Sequence, residues 1–506
     1  MFKYFKKSGF MLLFFLASCS SNSIVTDEVK SYLDAKEIEY ENICVENGIA
    51  NWNMLSNEGA IDLETPKKKY EQLFFDKKLN GIIDELYAGR EKISDRLFKA
   101  RIEKWHTLIT GGKVDFSPEL VRLRSKLELW ISGNAPKESI PSQDVINDSM
   151  KTLMRMRNAK AKWMGFPNYA YMVHELSGLG YDWFINMINT IEKETGKPYK
   201  ELLAKVKADL GNEKITMYDV NMYLSKIRPK AENMQGRGKI SKDKVIELMK
   251  ESTRNIGIDP EKLPVRFVEN KMPYGGNGIA VKVPDDFRIV LLPGMGVNVW
   301  MHELGHGLQA MFTKTSSPVL RCYEWCLGSE TQAYAEGMAE TNAAFANNAL
   351  WKKKYYGEEP KETVADDYSK YQAAVSLRRT IAGFIQAIEY YARIDEDLTA
   401  VKNEINKKYM LLEFNETNKV YMTSMYDVSY PVYMQNYFIA GIIAWQIHEA
   451  LEKKFGKEYV FNKEVGKYLA DNFWQYGTEY TWQERMKMGT GRELDIIGYL
   501  ASRGIK

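Results

Sequence analysis

The stretch Trp300-Met301-His302-Glu303-Leu304-Gly305-His306-Gly307 contains the strongest signal in the chain, a His-Glu-x-x-His spacing. Residues four apart lie on one face of an α-helix, so His302 and His306 can bind one metal ion between them. Glu303 then projects beside that ion, where its carboxylate can act as a base toward water. The alternative is an amphipathic helix with two core histidines, but the chain has only 5 histidines, which makes this spacing rare by chance.

A second helix-forming run offers the third protein ligand that a catalytic zinc site needs. This alanine-rich run extends from Thr331 to Phe345 and contains Glu336 and Glu340. The two acids lie one helical turn apart, so one can bind the metal while the other accepts a hydrogen bond from a ligand histidine. Their Ala, Gly and Met neighbours disfavour the alternative, a solvated acidic helix face.

The Glu-x-x-x-acid pattern of this run resembles the third-ligand helix of thermolysin-like and angiotensin-converting-enzyme-like peptidases. The resemblance implies that Glu336 binds a zinc ion and that Glu340 accepts a hydrogen bond from one of the histidines. Glu330 is a weaker alternative ligand, because Tyr334 stands where its second acid would be.

Composition indicates an ordinary globular protein with long helices. The chain has 506 residues, of which 45% are apolar, 27% charged and 12% aromatic, and only 15 are proline. A chain of this length can bury an extensive core. The formal charge of +3 comes from three lysines in the N-terminal segment, so the remainder is balanced and we expect no nucleic-acid partner.

The N-terminus reads as a lipoprotein signal. A basic start is followed by the apolar run 10–16, which is too short for a membrane span. Leu16-Ala-Ser-Cys19 comes next and offers a small-residue cleavage site. It resembles the lipobox of bacterial lipoproteins, which implies a signal peptide over 1–18 and lipidation of Cys19. The alternative is a plain signal peptide or a leftover free cysteine.

The lipobox defines the expected organisation of the mature protein. Residues 19–27 would form a tether and residues 28–506 a single catalytic domain. We expect a monomer held by its lipid anchor to the membrane, outside the cytoplasm of a bacterial cell envelope. Cys44, Cys322 and Cys326 remain; a second zinc site lacks further ligands nearby, and a disulfide between two of the three stays open.

The first half of the chain has helical periodicity, and three short strands follow it. Helices are predicted near 71–86, 93–108, 117–133, 143–164 and 200–210, with Gly81 as a weak point and Gly111, Gly112, Gly133 and Gly211 at helix ends. Strands are predicted at 264–269, 278–283 and 288–293. Their free edge near Gly278 could pair with a peptide backbone, with 271–278 as a flexible lip; a purely structural hairpin is the alternative.

A helix is also predicted over 431–451, with Pro431 in its first turn. Its segment 438–447 is apolar on nearly all sides and is expected to run through the core. His448 ends that segment, and we interpret it as a structural polar residue.

Together with the metal motif, this helix resembles the angiotensin-converting-enzyme family of peptidyl-dipeptidases, which are gluzincins. The similarity covers about 275–345 and 425–495, including Asp286-Phe-Arg-Ile289 and Trp482-Gln-Glu-Arg485; the thimet-oligopeptidase-like family is the nearest competitor. It implies a mainly α, helix-rich zincin ellipsoid with a deep central groove and a small β-sheet beside the metal helix. It also implies that Tyr437 stabilises the developing oxyanion.

Several positions depart from that family. Asp427 stands where the family has a histidine, and Asn436 replaces a chloride-binding arginine. Met425 and Met434 replace the lysine and tyrosine that clamp the substrate's C-terminal carboxylate, unless a cation elsewhere, such as Lys419, takes over. These changes predict a peptidase that is not restricted to C-terminal dipeptides.

The sequence therefore predicts a zinc-dependent peptidase acting on short extracytoplasmic peptides, in a peptidyl-dipeptidase-like or oligopeptidase-like manner. Its catalytic residues would be Glu303 and Tyr437, with His302, His306 and Glu336 on the metal. The alternative is a non-catalytic envelope lipoprotein that binds peptides or a partner with the same fold, and another zinc-hydrolase reaction such as deacylation shares the same site.

Overall fold

A computed structural model describes residues 25–132, 135–229, 241–272, 275–358 and 367–505. The predicted signal peptide, Cys19 and most of the tether lie outside the described residues. No helix within these ranges is long and apolar enough to cross a membrane.

The described ranges are dominated by α-helices, with three strands in the middle of the chain. In chain order the elements are α1 (Asp27–Ser56), α2 (Glu64–Phe74), α3 (Lys77–Ala88), α4 (Arg96–Asp115), α5 (Pro118–Ser132), α6 (Gln143–Trp163), α7 (Tyr169–Leu176), α8 (Tyr181–Leu210), α9 (Met217–Ile227), α10 (Lys242–Asn255), β1 (Val265–Glu269), β2 (Gly276–Lys282), β3 (Asp286–Leu291), α11 (Val297–Met311), α12 (Gln332–Phe345), α13 (Ala349–Tyr356), α14 (Asp367–Ala392), α15 (Leu398–Met410), α16 (Met425–Ser429), α17 (Gln435–Phe455), α18 (Val465–Leu469), α19 (Trp482–Thr490) and α20 (Ile496–Ser502). The predicted mainly α fold with a small sheet beside the metal helix is confirmed.

Two predicted helix boundaries in the first half are wrong. The run 71–86 is divided between α2 and α3, and the break falls before Asp76, whose carboxylate caps the N–H groups of Lys78 and Leu79; Gly81 lies inside α3. Gly111 and Gly112 lie inside α4 rather than at its end. A Cβ at Gly111 would stand 2.3 Å from the carbonyl oxygen of Leu327, so tertiary contact explains these glycines.

The three strands form one sheet in the order β1-β3-β2. β1 pairs with β3 in parallel and β2 pairs with β3 antiparallel, which leaves β2 at an edge. One face of the sheet, with Val281 and Val290, packs on Trp52 of α1. Phe287 lies on the other face and contacts the position of Gly307 in α11. The sheet therefore lies between α1 and α11.

α12 lies between α11 and α17 because glycines allow close approach. A Cβ at Gly305 of α11 would lie 2.6 Å from the Cα of Ala339, and one at Gly337 of α12 would lie 2.6 Å from the side chain of Ile443. α17 begins at Gln435, so the prediction that Pro431 occupies its first turn is wrong. Most of its apolar segment is buried, as expected.

His448 is half-buried, and the three described cysteines are buried. His448 contacts the Thr341 carbonyl oxygen through Nε2 and the Tyr459 hydroxyl through Nδ1, each at 2.8 Å, which fits its predicted structural role. The three described cysteines, Cys44, Cys322 and Cys326, are buried and free, so no disulfide joins any two of them.

Candidate metal centre and active-site cleft

The three predicted metal ligands converge at the interface of α11 and α12. One donor atom from each of His302, His306 and Glu336 lies within 4.8 Å of the other two. Oε2 of Glu336 is 3.2 Å from Nε2 of His302 and 3.7 Å from Nε2 of His306. Two turns of one helix supply the histidines and the neighbouring helix supplies the carboxylate.

Glu336 supports a metal at this point, because one of its oxygens has no other use. The residue is only 4% exposed. Oε1 accepts a 2.6 Å hydrogen bond from the Tyr433 hydroxyl, whereas Oε2, which faces the histidines, has no hydrogen-bond partner. Two imidazole nitrogens and one carboxylate oxygen form a donor set typical of catalytic divalent-metal sites. The residues therefore fit the ion that the sequence predicts.

Two further acids contact the ligand histidines from outside. Nδ1 of His302 is 3.1 Å from Oε1 of Glu340, the partner expected from the sequence. Nδ1 of His306 is 3.9 Å from Oε1 of Glu324. Sequence reasoning missed Glu324, because it lies between the two metal helices and has no periodic relation to either. Glu340 can orient the His302 imidazole by accepting from its Nδ1–H. Glu324 is too far from His306 for a hydrogen bond, and Nδ1 of His306 has no hydrogen-bond partner among the described residues.

The carboxylates at this centre have shifted pKa values. Burial by itself would raise the pKa of Glu336, but contacts with His302 and His306 hold it well below its usual range. Burial raises the pKa of Glu303, against the opposing effect of the histidines. Burial also raises the pKa of Glu324 to about 7. Two buried acids and the partly exposed Glu324 thus lie close together, an arrangement that a cation would stabilise.

Glu303 lies where the metal helix meets the edge strand. It is 6% exposed, and a Cβ at Gly276 of β2 would stand 2.7 Å from its Oε1. Glycine at this position lets β2 approach the carboxylate closely. Gly276, Asn277 and Gly278 line the same cavity as Glu303, so the edge strand and the predicted base face one space. Of the predicted lip, residues 273 and 274 lie outside the described ranges.

That cavity has a volume of about 790 Å³ and contains the candidate ligands. Four of its lining residues are tyrosines from α16, α17 and the segment between them: Tyr426, Tyr430, Tyr433 and Tyr437.

The two tyrosines nearest the ligands have different partners. The Tyr433 hydroxyl contacts Glu336, as described, and also Oε1 of Gln332 at 3.2 Å. The Tyr437 hydroxyl has only the Tyr426 hydroxyl at 3.3 Å as a described hydrogen-bond partner. Burial raises the pKa of Tyr437, so its phenol remains protonated. Tyr437 therefore retains a donor that can turn toward the cavity.

The remaining predicted positions are placed as follows. Glu330, the alternative ligand, contacts Arg485 at 2.9 and 3.2 Å instead of the histidines. Asp427 forms a capping box with Ser424 at the start of α16. Met425 lines the cavity, whereas Met434 is 54% exposed. Asn436 is buried in α17. Lys419 pairs with Asp144 on the surface and is not among the residues that line the cavity.

Comparisons with known proteins yield structures but no sequence relatives. No family model matches the chain, and no curated protein matches it. The structure resembles an M32 carboxypeptidase from Deinococcus radiodurans R1, at a TM-score of 0.63 and 14% identity over 94% of this chain and 98% of that one. Metallocarboxypeptidase 1 of Trypanosoma cruzi gives 0.62 and 14% over 94% and 99%. A Pyrococcus furiosus carboxypeptidase gives 0.62 and 13% over 95% and 99%.

These identities are too low to assign an activity, and they do not single out the angiotensin-converting-enzyme-like family that the motifs resemble. The likeness nevertheless extends over nearly the whole of both chains, so it concerns the complete architecture and not one motif. The protein has the helix-rich fold found in M32 metallocarboxypeptidases.

Proposed function

We propose that the protein is a zinc-dependent peptidase that hydrolyses short peptides outside the cytoplasm. The observation that carries this proposal is the buried cluster of His302, His306 and Glu336, in which Oε2 of Glu336 has no hydrogen-bond partner. Glu303 adjoins the cluster in a cavity of about 790 Å³ with an edge strand on its wall. The likeness to metallocarboxypeptidases in fold supports the same reading.

His302, His306 and Glu336 would hold the zinc ion, with Glu340 and Glu324 beside the free imidazole nitrogens. When bound, zinc supplies Lewis-acid polarisation of the scissile carbonyl and makes the attacking water more acidic. The outer edge of β2, which no other strand of the sheet pairs with, offers backbone groups that can pair with an extended peptide and fix its direction in the cleft.

Glu303 acts as the proton carrier. Its carboxylate accepts a proton as the water oxygen bonds to the carbonyl carbon, and it delivers that proton to the amide nitrogen as the C–N bond breaks. Tyr437 donates a hydrogen bond to the carbonyl oxygen as negative charge develops there. Backbone pairing with β2 would fix the direction of the peptide but not the distance from the scissile bond to its C-terminus. The proposed peptidase is therefore not restricted to C-terminal dipeptides.

The test combines zinc analysis with cleavage of a mixed peptide library by the mature protein. We expect one zinc per chain and defined cleavage products. Glu303→Gln should retain the zinc and lose about 10²- to 10⁴-fold in kcat, because the proton carrier is removed. Glu404→Gln, at a side chain that is 65% exposed, is the matched control and should leave the zinc content and kcat unchanged.

The outcomes separate the alternatives. A protein that contains no zinc, or a Glu303→Gln variant with full activity, would contradict the proposed mechanism. Zinc binding without cleavage of any library peptide would favour the non-catalytic envelope lipoprotein instead.

The extracytoplasmic location depends on Cys19 and has its own test. Acylation at this cysteine would anchor the mature chain to a bacterial membrane, with the catalytic domain as a monomer in the envelope. Cys19→Ser should move the protein from the membrane fraction to the soluble fraction. A variant that stays with the membrane would show that another feature holds it there.

A further inference from the structure

One part of the cleft has chemistry that the proposed mechanism does not use. It is formed by Lys67 of α2, by Arg124, Ser125 and Glu128 of α5, and by Ser429 of α16, all of which line the same cavity as the metal ligands. The N-terminal helices thus contribute a charged cluster to a cleft whose metal-binding residues come from the second half of the chain.

In this cluster two cations share one carboxylate. Lys67 Nζ lies 3.1 Å from Oε2 of Glu128 and donates to Ser125 Oγ at 3.0 Å. The Ser429 hydroxyl donates to Oε1 of Glu128 at 3.0 Å. Arg124 Nε is 3.6 Å from the same Oε1, which is too long for a hydrogen bond. The carboxylate is therefore used by Lys67 and Ser429, and Arg124 is left with an electrostatic contact.

Arg124 is unusually short of partners for a guanidinium that is mostly buried. Its side chain is only 11% exposed, and its Nε is buried without a hydrogen-bond partner. No hydrogen bond joins Arg124 to another residue within the described ranges, and its ring contact with Phe116 is 5.8 Å from the centroid. A guanidinium has five N–H donors, and leaving the buried Nε–H of Arg124 unpaired is costly. A ligand with a complementary anionic group would satisfy them.

The cluster holds two cations, Lys67 and Arg124, and one carboxylate, Glu128. Glu64 also lines the cavity, but its side chain is 77% exposed and lies 3.9 Å from Lys68. Burial holds the pKa of Lys67 below its usual value. The like charge of Arg124 also lowers this pKa, whereas the opposite charge of Glu128 raises it. Lys67 and Arg124 therefore share one carboxylate of the cluster, Glu128, and the other acid acting on Lys67 here is the mostly exposed Glu64.

Tyrosines connect the cluster to the metal ligands. Tyr430 is 44% exposed, and the charges of Glu128 and Arg124 both act on its pKa. The ring of Tyr430 contacts that of Tyr433 at 5.6 Å, and Tyr433 hydrogen-bonds Glu336. A peptide lying in the cleft can therefore reach both the cationic cluster and the metal ligands.

We propose that Arg124, Lys67 and Ser125 form a subsite that binds a carboxylate of the peptide substrate. The inference rests on the proposed peptidase function and adds the class of peptide that the cleft prefers. Arginine binds a carboxylate through two parallel N–H groups, which gives both energy and a fixed orientation. The carboxylate belongs either to the chain end or to an Asp or Glu side chain.

The experiment compares matched peptides that differ in one carboxylate. The set contains a free acid, its C-terminal amide, and a Glu-to-Gln series at successive positions on both sides of the scissile bond. We expect the wild-type protein to prefer one carboxylate-bearing member by about 10- to 150-fold in kcat/KM, the range that a hydrogen bond to a charged group provides. Arg124→Gln should reduce that preference to near unity, chiefly through KM.

The control is Arg122→Gln, an exposed arginine on the same helix, which should retain the preference. Loss of the preference on amidation assigns the subsite to the chain end, and loss on Glu-to-Gln exchange assigns it to a side chain. Equal rates for every pair, or an undiminished preference in Arg124→Gln, would overturn the proposal. If Arg124→Gln does not fold, Lys67→Gln serves instead and should reduce the preference in the same direction.

Failure of the peptidase function itself would be distinguishable. If the wild-type protein cleaves nothing, direct binding of the same peptides to the wild type and to Arg124→Gln replaces the kinetic measurement. Tighter binding of the carboxylate-bearing peptide by the wild type alone supports the subsite, and equal binding overturns it.

Discussion

Two buried glutamates around the start of α12 have opposite surroundings. Glu330 is 2% exposed and Glu336 is 4% exposed, so both carboxylates have left water. Glu330 receives two hydrogen bonds from Arg485 and one of 3.1 Å from Gln309. Glu336 has only Tyr433 on one oxygen and two histidines facing the other.

The difference teaches how a structural carboxylate can be told from a ligand. Arg485 is a fixed cation of the chain, and its charge lowers the pKa of Glu330 in spite of burial. Glu336 has no Lys or Arg partner among the described residues. Its neighbours are the imidazoles of His302 and His306, which carry a charge only when they are protonated. A buried acid without a permanent cation stays charged only if another positive charge, such as a metal ion, lies beside it.

Of the two glutamates, Glu336 should show the larger effect of substitution on zinc content and activity. We expect Glu336→Gln to lose zinc, as measured by elemental analysis, and to lose at least about 10³-fold in peptidase activity, since the metal supplies both carbonyl polarisation and water activation. A variant that retains stoichiometric zinc would contradict the assignment of Glu336 as a ligand.

Breaking the Glu330 side should affect stability instead of metal content. Glu330→Gln leaves Arg485 buried without its counter-charge, which typically costs about 3–5 kcal/mol in the free energy of unfolding. Urea denaturation measures the loss, while the folded fraction should still bind one zinc. The double variant Glu330→Gln/Arg485→Gln should recover part of the stability. Glu396→Gln, which breaks an exposed pair with Arg393, is the control and should change little.

The comparison is sharpened by the tyrosines near Glu336. Tyr437→Phe should reduce kcat by about 100-fold with little change in zinc affinity, because its phenol acts on the developing oxyanion. Tyr433→Phe should instead weaken zinc binding by about 10-fold, because it removes the hydrogen bond to Oε1 of Glu336. Competition with a chelator and steady-state kinetics measure the two effects. If Tyr433→Phe alone lowers kcat, the catalytic role belongs to Tyr433.

The sequence by itself determined the features that depend on local periodicity. His302 and His306 lie on one helix face because four residues make about one turn. The strand predictions were within a few residues of β1, β2 and β3, because β-branched residues and bounding Gly and Pro positions are also local signals. The spacing of Glu336 and Glu340 likewise depended only on helix geometry.

Tertiary structure decided the features that depend on which residues meet across the chain. Gly111 reads as a helix end by propensity, but it lies inside α4, where the close approach of the Leu327 carbonyl oxygen leaves no room for a Cβ. The sequence ranked Glu330 below Glu336 as a ligand only by the missing second acid, and the position of Arg485 shows where the Glu330 carboxylate is used instead. Arg124 and Glu324 reach the cleft from elements that no periodicity connects to the metal helix. Charge compensation depends on distance in space, and the sequence gives that distance only within a single helix or strand.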